Sequence, residues 1–254
     1  MHLHEVLKEI DTTLYPDIAK AGSISVAISK GLSDIGSTLI ADATEVNDFM
    51  PYALVEEGPR FSQIHIAGGQ RLFLFDFWSE GVMFGNASSD NILNVAQAIH
   101  AWIVDNASIE KMSALFNFFS PTESGKAHEA GVYVEHQWQS LLEGWREREK
   151  TFGEPDRTPT LLIESAMKRP ELRRLFPFTS LISLCFSRTT GYPFTKDCPR
   201  IEPQGGGIYW VYASNSFEIL GKGTVEEALD ILIEHLPPNC GPAVNGTADD
   251  FASQ

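Results

Sequence analysis

Apolar residues recur at helical spacing in three stretches of the chain. In residues 88–104, Ile92, Val95, Ala96, Ile99 and Ile103 form one stripe, with Ser88, Ser89 and Asp90 as a capping start and Asn106 after the end. In residues 224–236, Val225, Ala228, Leu229, Leu232 and Leu236 form another. Thr224 and Glu227 stand at capping-box spacing there, where hydroxyl and carboxylate satisfy each other's free amides, and Pro237-Pro238 stops the helix. In residues 132–149, Trp138, Leu141, Leu142 and Trp145 share a face, and Arg146, Glu147, Arg148 and Glu149 extend it into solvent. Alternating runs predict strands at 61–67, 71–78 and 81–84, and again at 180–187, 207–213 and 217–220. Helix candidates at 16–33 and 161–175 lead the two sets.

The order strand, strand, strand, helix thus occurs twice, and the stripes of the two closing helices have identical spacing. The expected fold is α+β, with two similar antiparallel-sheet-plus-helix halves joined by a bridging helix. Three strands and a helix are also a common way to build such a layer, and identities between the copies are few. Polar connectors at 119–130 and 150–159 set the boundaries: an N-terminal α+β half at 1–118, a connector with the bridging helix at 119–159, and a C-terminal α+β half at 160–237. Residues 238–254, rich in Pro, Gly and small polar side chains, read as a disordered tail.

At ~150 residues per domain, 254 residues allow one large domain or two small ones. The formal net charge is −15, spread over both halves, which argues against nucleic acid as a main ligand because phosphate binding draws on Lys and Arg. Cys185, Cys198 and Cys240 form no CxxC pair and are odd in number, the usage of a reduced chain without a disulfide framework or zinc ribbon. His2, His4, Glu5, Lys8, Glu9 and Asp11 stand where a secretory signal needs apolar residues, and the uncharged run 175–187 falls short of the ~18–20 residues that span a bilayer. A cytoplasmic protein without a membrane partner is expected, and the Asn-x-Ser/Thr triplets at Asn86, Asn106 and Asn245 then carry no meaning.

Candidate chemistry is sparse. His2 and His4 lack a third metal ligand, and His128 and His136 are too far apart to share a helix face at one metal; His100 and His235 fall on the polar sides of their helices. Gly205-Gly206-Gly207 leads into a strand rather than a helix, so it reads as a hairpin loop and not a phosphate cradle. Neither a nucleophile motif nor a dinucleotide fingerprint is present, so no catalytic residue, metal or cofactor is assigned. Asp76 interrupts an aromatic strand and shares a face with Leu74 and Trp78. The acidity reverses once, where Lys168, Arg169, Arg173 and Arg174 gather around Pro170. Such a cluster suits a carboxylate, a phosphate or an acidic partner, or neutralises acids of the same chain. Thr179 and Ser180 follow at a turn, and Ser187, Arg188 and Thr190 at a polar strand end. A ligand or partner site, if present, is expected between this strand end and the basic cluster; a corner tied by hydroxyls is the structural alternative.

The run Pro-x-Leu-Arg-x-Leu-Phe-Pro-Phe-Thr-Ser at 170–180, followed by Leu184-x-Phe186-Ser187, resembles a bacterial domain-of-unknown-function family labelled as natural product biosynthesis proteins. Leu14-Tyr15-Pro16, Ala21-Gly22-Ser23, Ala101-Trp102 and Glu227-Ala228 extend the likeness to about residues 14–237. The resemblance implies bacterial origin and linkage to secondary-metabolite or peptide-product gene clusters, and brings no catalytic residues with it. The function expected is a non-catalytic accessory or binding protein of natural-product biosynthesis, its partner another protein or peptide of the same gene cluster. An immunity or antitoxin-like protein that neutralises a basic partner is the first alternative, and an enzyme of unknown reaction the second.

Overall fold

Alternation in residues 73–79 buries Phe73, Phe75, Phe77 and Ser79 and turns Leu74, Asp76 and Trp78 outward, so one face of this strand must be covered. The computed structural model of the chain describes residues 11–43, 52–152 and 159–252. His2, His4 and most of the expected 150–159 break lie outside them. The chain divides into two compact units, Met1–Glu129 and Ala130–Gln254.

The first unit runs α1 (Pro16–Ala21), α2 (Ile24–Asp34), β1 (Ala41–Ala43), β2 (Ala53–Glu57), β3 (Arg60–Ile66), β4 (Phe73–Ser79), β5 (Val82–Ser89), α3 (Ile92–Ile103), α4 (Ile109–Leu115), β6 (Phe119–Pro121) and α5 (Glu123–Glu129). Its six strands lie side by side in chain order, all antiparallel. The expected helix at 16–33 is two helices. Gly22, at φ 90°, ends α1 in the left-handed region, and the Ser23 hydroxyl caps α2 by accepting from the Val26 N–H. Tyr15, fully buried ahead of α1, takes the Leu72 N–H on its phenol oxygen, and Arg71 clasps Asp17 at 2.7 and 2.8 Å. α3 lays its stripe on β2 to β5, but its cap is Asn91, since Ser88 and Ser89 complete β5.

The connector expected at 119–130 is built into the sheet and its flank as β6 and α5. Two glycines make the close approach possible. A Cβ at Gly85 would stand 2.3 Å from the Phe119 ring, and one at Gly125 would stand 2.5 Å from the Phe84 Cα.

The second unit comprises α6 (Tyr133–Phe152), α7 (Thr160–Ala166), α8 (Pro170–Arg173), β7 (Phe176–Ser180), β8 (Ser183–Ser187), β9 (Arg200–Gly205), β10 (Ile208–Tyr212), β11 (Ile219–Gly223), α9 (Val225–Glu234) and α10 (Ala248–Ala252). Its sheet is again an antiparallel meander in chain order. The expected bridging helix is α6, a core element of this unit: Trp138, Leu142 and Trp145 pack with Leu162, Phe186, Leu229 and Leu232. The helix expected at 161–175 breaks before Pro170 into α7 and α8. β9 falls between the predicted strands, because Pro203 and three polar residues hide its alternation; it pairs with β10 through Ile201–Val211 and Pro203–Tyr209. Gly205, Gly206 and Gly207 all take positive φ and form the hairpin turn that their position implies. Glu227 accepts from both the Thr224 N–H and hydroxyl at 2.9 Å, the capping box at the start of α9.

The tail expected to be disordered is folded from Pro237 to α10. Ala243 donates to the Arg174 carbonyl, Val244 bridges to Thr189, and Ala248 donates to the Pro193 carbonyl. Its apolar pattern is weak because backbone hydrogen bonds, rather than a buried stripe, hold it in place.

In the first unit α2, β1 to β5 and α3 follow one another and α3 packs on α2; in the second α7, α8, β7 to β11 and α9 do, and α9 packs on α7.

A candidate binding cleft in the second unit

Along β8 to β10, Leu184, Phe186, Ile201, Tyr209 and Val211 join the core, so Ser183, Cys185, Arg200, Glu202 and Tyr212 alternate onto the opposite face. There Ser183, Cys185, Arg200 and Glu202 floor a cleft of about 460 Å³, with the Tyr212 ring beside Arg200. The turn between β7 and β8 and the segment before β11 form its lips, at Ser180, Leu181, Ser216 and Phe217, and Phe178 and Lys196 line it further.

Its polar floor is tied down. Ser183 donates to one Glu202 carboxylate oxygen at 2.8 Å and Gln204 to the other at 3.1 Å. Arg200 donates to the Ser216 carbonyl at 2.6 Å, and its guanidinium lies 4.5 Å from the Tyr212 ring and 5.5 Å from the Phe217 ring. Arg200 and Tyr212 are direct cross-strand partners, so register alone makes this contact. Burial pushes the Cys185 thiol up to about 11, which keeps it protonated and a poor nucleophile at neutral pH. Burial also raises the Tyr212 phenol, helped by nearby Glu202.

The lips are the unusual part. Leu181 and Phe217 are each 90% exposed, two large apolar side chains held in water on either side of a cleft. Leu181 does so at φ 56°, a left-handed backbone that costs a residue with a Cβ roughly 1–2 kcal/mol. Behind them Phe178 stacks on Phe194 at 4.6 Å, and Tyr192, itself largely exposed, meets Phe194 edge-on at 5.8 Å.

The basic cluster and the polar strand end do not converge on this cleft, where Ser180 alone of the expected residues is a lining residue. Arg169 faces α9, paired with Glu226 at 3.1 Å and Asp230 at 2.7 Å. Arg173 faces α6, paired with Glu135 and lying 5.9 Å from the Trp138 ring. Lys168 and Arg174 are exposed, and the Arg174 carbonyl holds the tail. Thr179 is half-buried on β7. Ser187 is fully buried and organises a knot of hydroxyls: it accepts from the Thr189 and Thr195 N–H groups at 3.0 and 3.1 Å and donates to the Thr189 carbonyl at 2.7 Å. Thr190 is buried beneath the tail, donating its N–H to the Val244 carbonyl. Arg188 pairs with Asp197 at 3.0 Å and covers the Phe251 ring at 4.3 Å.

Of the residues lining the cleft, the sequence marks Ser180 alone as a site candidate; Leu181, Lys196, Arg200 and Glu202 carry no signal there, and Phe217 reads only as the start of a strand. Arg200-Ile-Glu-Pro203 does alternate, but Pro203 makes it read as loop.

Residues 132–247 match the model of a family of unknown function (DUF6193). The match begins at α6 and ends before α10, so it falls wholly within the second unit and takes in the cleft. It supports an uncharacterised domain family for that unit, while the part of the expected likeness at 14–131 lies outside the DUF6193 match. Neither a curated protein nor a solved structure matches the chain.

The first unit offers shallower chemistry. Asp76 lies on its open sheet face, as alternation implies, and accepts the Gln63 N–H at 2.8 Å. Burial holds its carboxyl above the usual range, against the opposing pull of that N–H, the Trp78 side chain and His65. Phe61 stacks on Trp78 nearby at 5.7 Å. His128 sits beside Glu80 at 3.2 Å, with its pKa lowered by burial, and His136 lies on α6 against Tyr133. Among the described residues no cluster of His, Cys, Asp or Glu could hold a metal ion, and no helix is long and apolar enough to cross a membrane.

Proposed function

We propose that the chain is a non-catalytic binding protein serving bacterial natural-product biosynthesis, and that the cleft of its second unit holds a ligand or peptide of that pathway. One observation carries the binding part: Leu181 and Phe217 stand exposed on either side of a floor whose Arg200 and Glu202 are already fixed in place. Apolar lips around a few oriented polar groups are the usual composition of a small-molecule or peptide site. The fixed opposite charges suit a compound with an apolar body and a carboxylate, an amine or both. The pathway part rests on the resemblance at 170–187; the match over the same unit supports an uncharacterised domain family.

The reading is tested by titrating the full chain with the peptides, products and proteins encoded beside it. Binding that weakens tenfold or more in Leu181→Ala and in Phe217→Ala is the expected result. Tight binding of a basic protein that fades with salt and ignores both substitutions would favour neutralisation of a toxic partner instead. A titration in which no co-encoded species binds would sink the proposal.

A further inference from the structure

Cys198 and Cys240 are distant in sequence yet their sulfurs lie 3.9 Å apart, both buried. Each sits in a loop, Cys198 ahead of β9 and Cys240 beyond the Pro237-Pro238 stop of α9, where Asn239 at φ 57° turns the chain. Loops can yield the remaining distance to a bond of ~2.0 Å without disturbing a strand or helix. Cys198 also lines the cleft, which gives a small oxidant a route to the pair.

We propose that Cys198 and Cys240 are a redox modification site, closing to a reversible disulfide with hydrogen peroxide as oxidant. The thiolate of the pair attacks one peroxide oxygen and the O–O bond breaks; the leaving hydroxide takes a proton to become water, and a sulfenic acid remains. The second thiol displaces hydroxide from that sulfur, the S–S bond forms, and its proton completes a second water. Two thiols are oxidised and one peroxide is reduced. The surroundings favour ionisation of one partner. The two sulfurs share a hydrogen bond, and Arg188 and Arg174 add positive charge, which pushes Cys240 down while burial and its partner raise Cys198. Cys185, kept protonated by burial, is the internal control.

The experiment exposes the reduced full-length chain to hydrogen peroxide, then counts thiols and maps peptides. Loss of two of its three thiols, a Cys198–Cys240 cross-linked peptide within one molecule, and recovery by dithiothreitol are expected. The Cys240→Ser chain should form no intramolecular bond; the wild-type peptide map decides the matter even if that variant fails to fold. Oxidation of Cys185 ahead of the pair, sulfinic acid without a cross-link, or survival of all three thiols in the folded chain when the denatured chain reacts would each overturn the proposal.

Discussion

At the scale of single residues, burial decides which polar groups act and which merely hold. Ser187 and Thr190 have the composition of a site, yet both are buried: the Ser187 hydroxyl donates to the Thr189 carbonyl, and Thr190 lies beneath the tail, its N–H on the Val244 carbonyl and its hydroxyl toward the Asn245 side chain. Asp76 is the reverse case, a carboxyl whose burial is incompletely compensated. A carboxyl that holds its proton more tightly in the folded chain weakens the fold as it ionises. The penalty is absent below the ordinary value of 3.8, grows as pH rises through the window up to the raised value, and is complete at neutral pH. Asp76→Asn keeps an oxygen for the Gln63 N–H and removes the charge. It is expected to raise the denaturant midpoint at about pH 7 and leave it unchanged near pH 3. Equal midpoint shifts at the two values would show that ionisation is not the cause.

At the scale of elements, helices with wide stripes were legible and segments held by backbone contacts were not. The stripes of α3, α6 and α9 could be read because each buries several large side chains at helical spacing. β6, β9 and the tail could not, since their places depend on glycine approach, on a strand containing proline, and on main-chain hydrogen bonds. The cleft fails to appear in sequence for a related reason. The charged part of its floor, Arg200 and Glu202, lies on a strand that no alternation predicted, and its lips are single apolar residues at the ends of elements, which periodicity does not single out. Gly125→Ala tests the approach that seats α5 on β5. The added methyl would meet the Phe84 backbone at 2.5 and 2.8 Å, so a loss of about 1–3 kcal/mol is expected in equilibrium unfolding. A cost near zero would mean that α5 can lift from the sheet freely.

At the scale of the molecule, each unit has its own sheet, its own covering helices and its own core. The six-stranded sheet of the first is closed over by α2 and α3, and the five-stranded sheet of the second by α6, α7 and α9. A chain of residues 130–254 is therefore expected to unfold cooperatively by itself, with dispersed amide resonances. A collapsed state without fixed side-chain signals would show that it needs the first 129 residues. The division into two α+β halves was legible, but its boundary was not. A helix flanked by polar linkers reads as a bridge, and nothing in its own stripe says that Trp138 and Trp145 belong with Leu229 and Leu232.

The chain-order meanders have a kinetic consequence. When each strand pairs with the next one synthesised, little loop must be closed before a contact forms, so contact order is low and the search is short. Each sheet can therefore assemble strand by strand as the chain leaves the ribosome, the first unit ahead of the second. The bridge between Thr189 and Val244 is one long-range step of the second unit, as is the packing of α9 on α7. Until the bridge closes, Thr189 and Thr190 lack the main-chain partners that the tail supplies, so the tail acts as a clasp on the meander rather than as one of its strands.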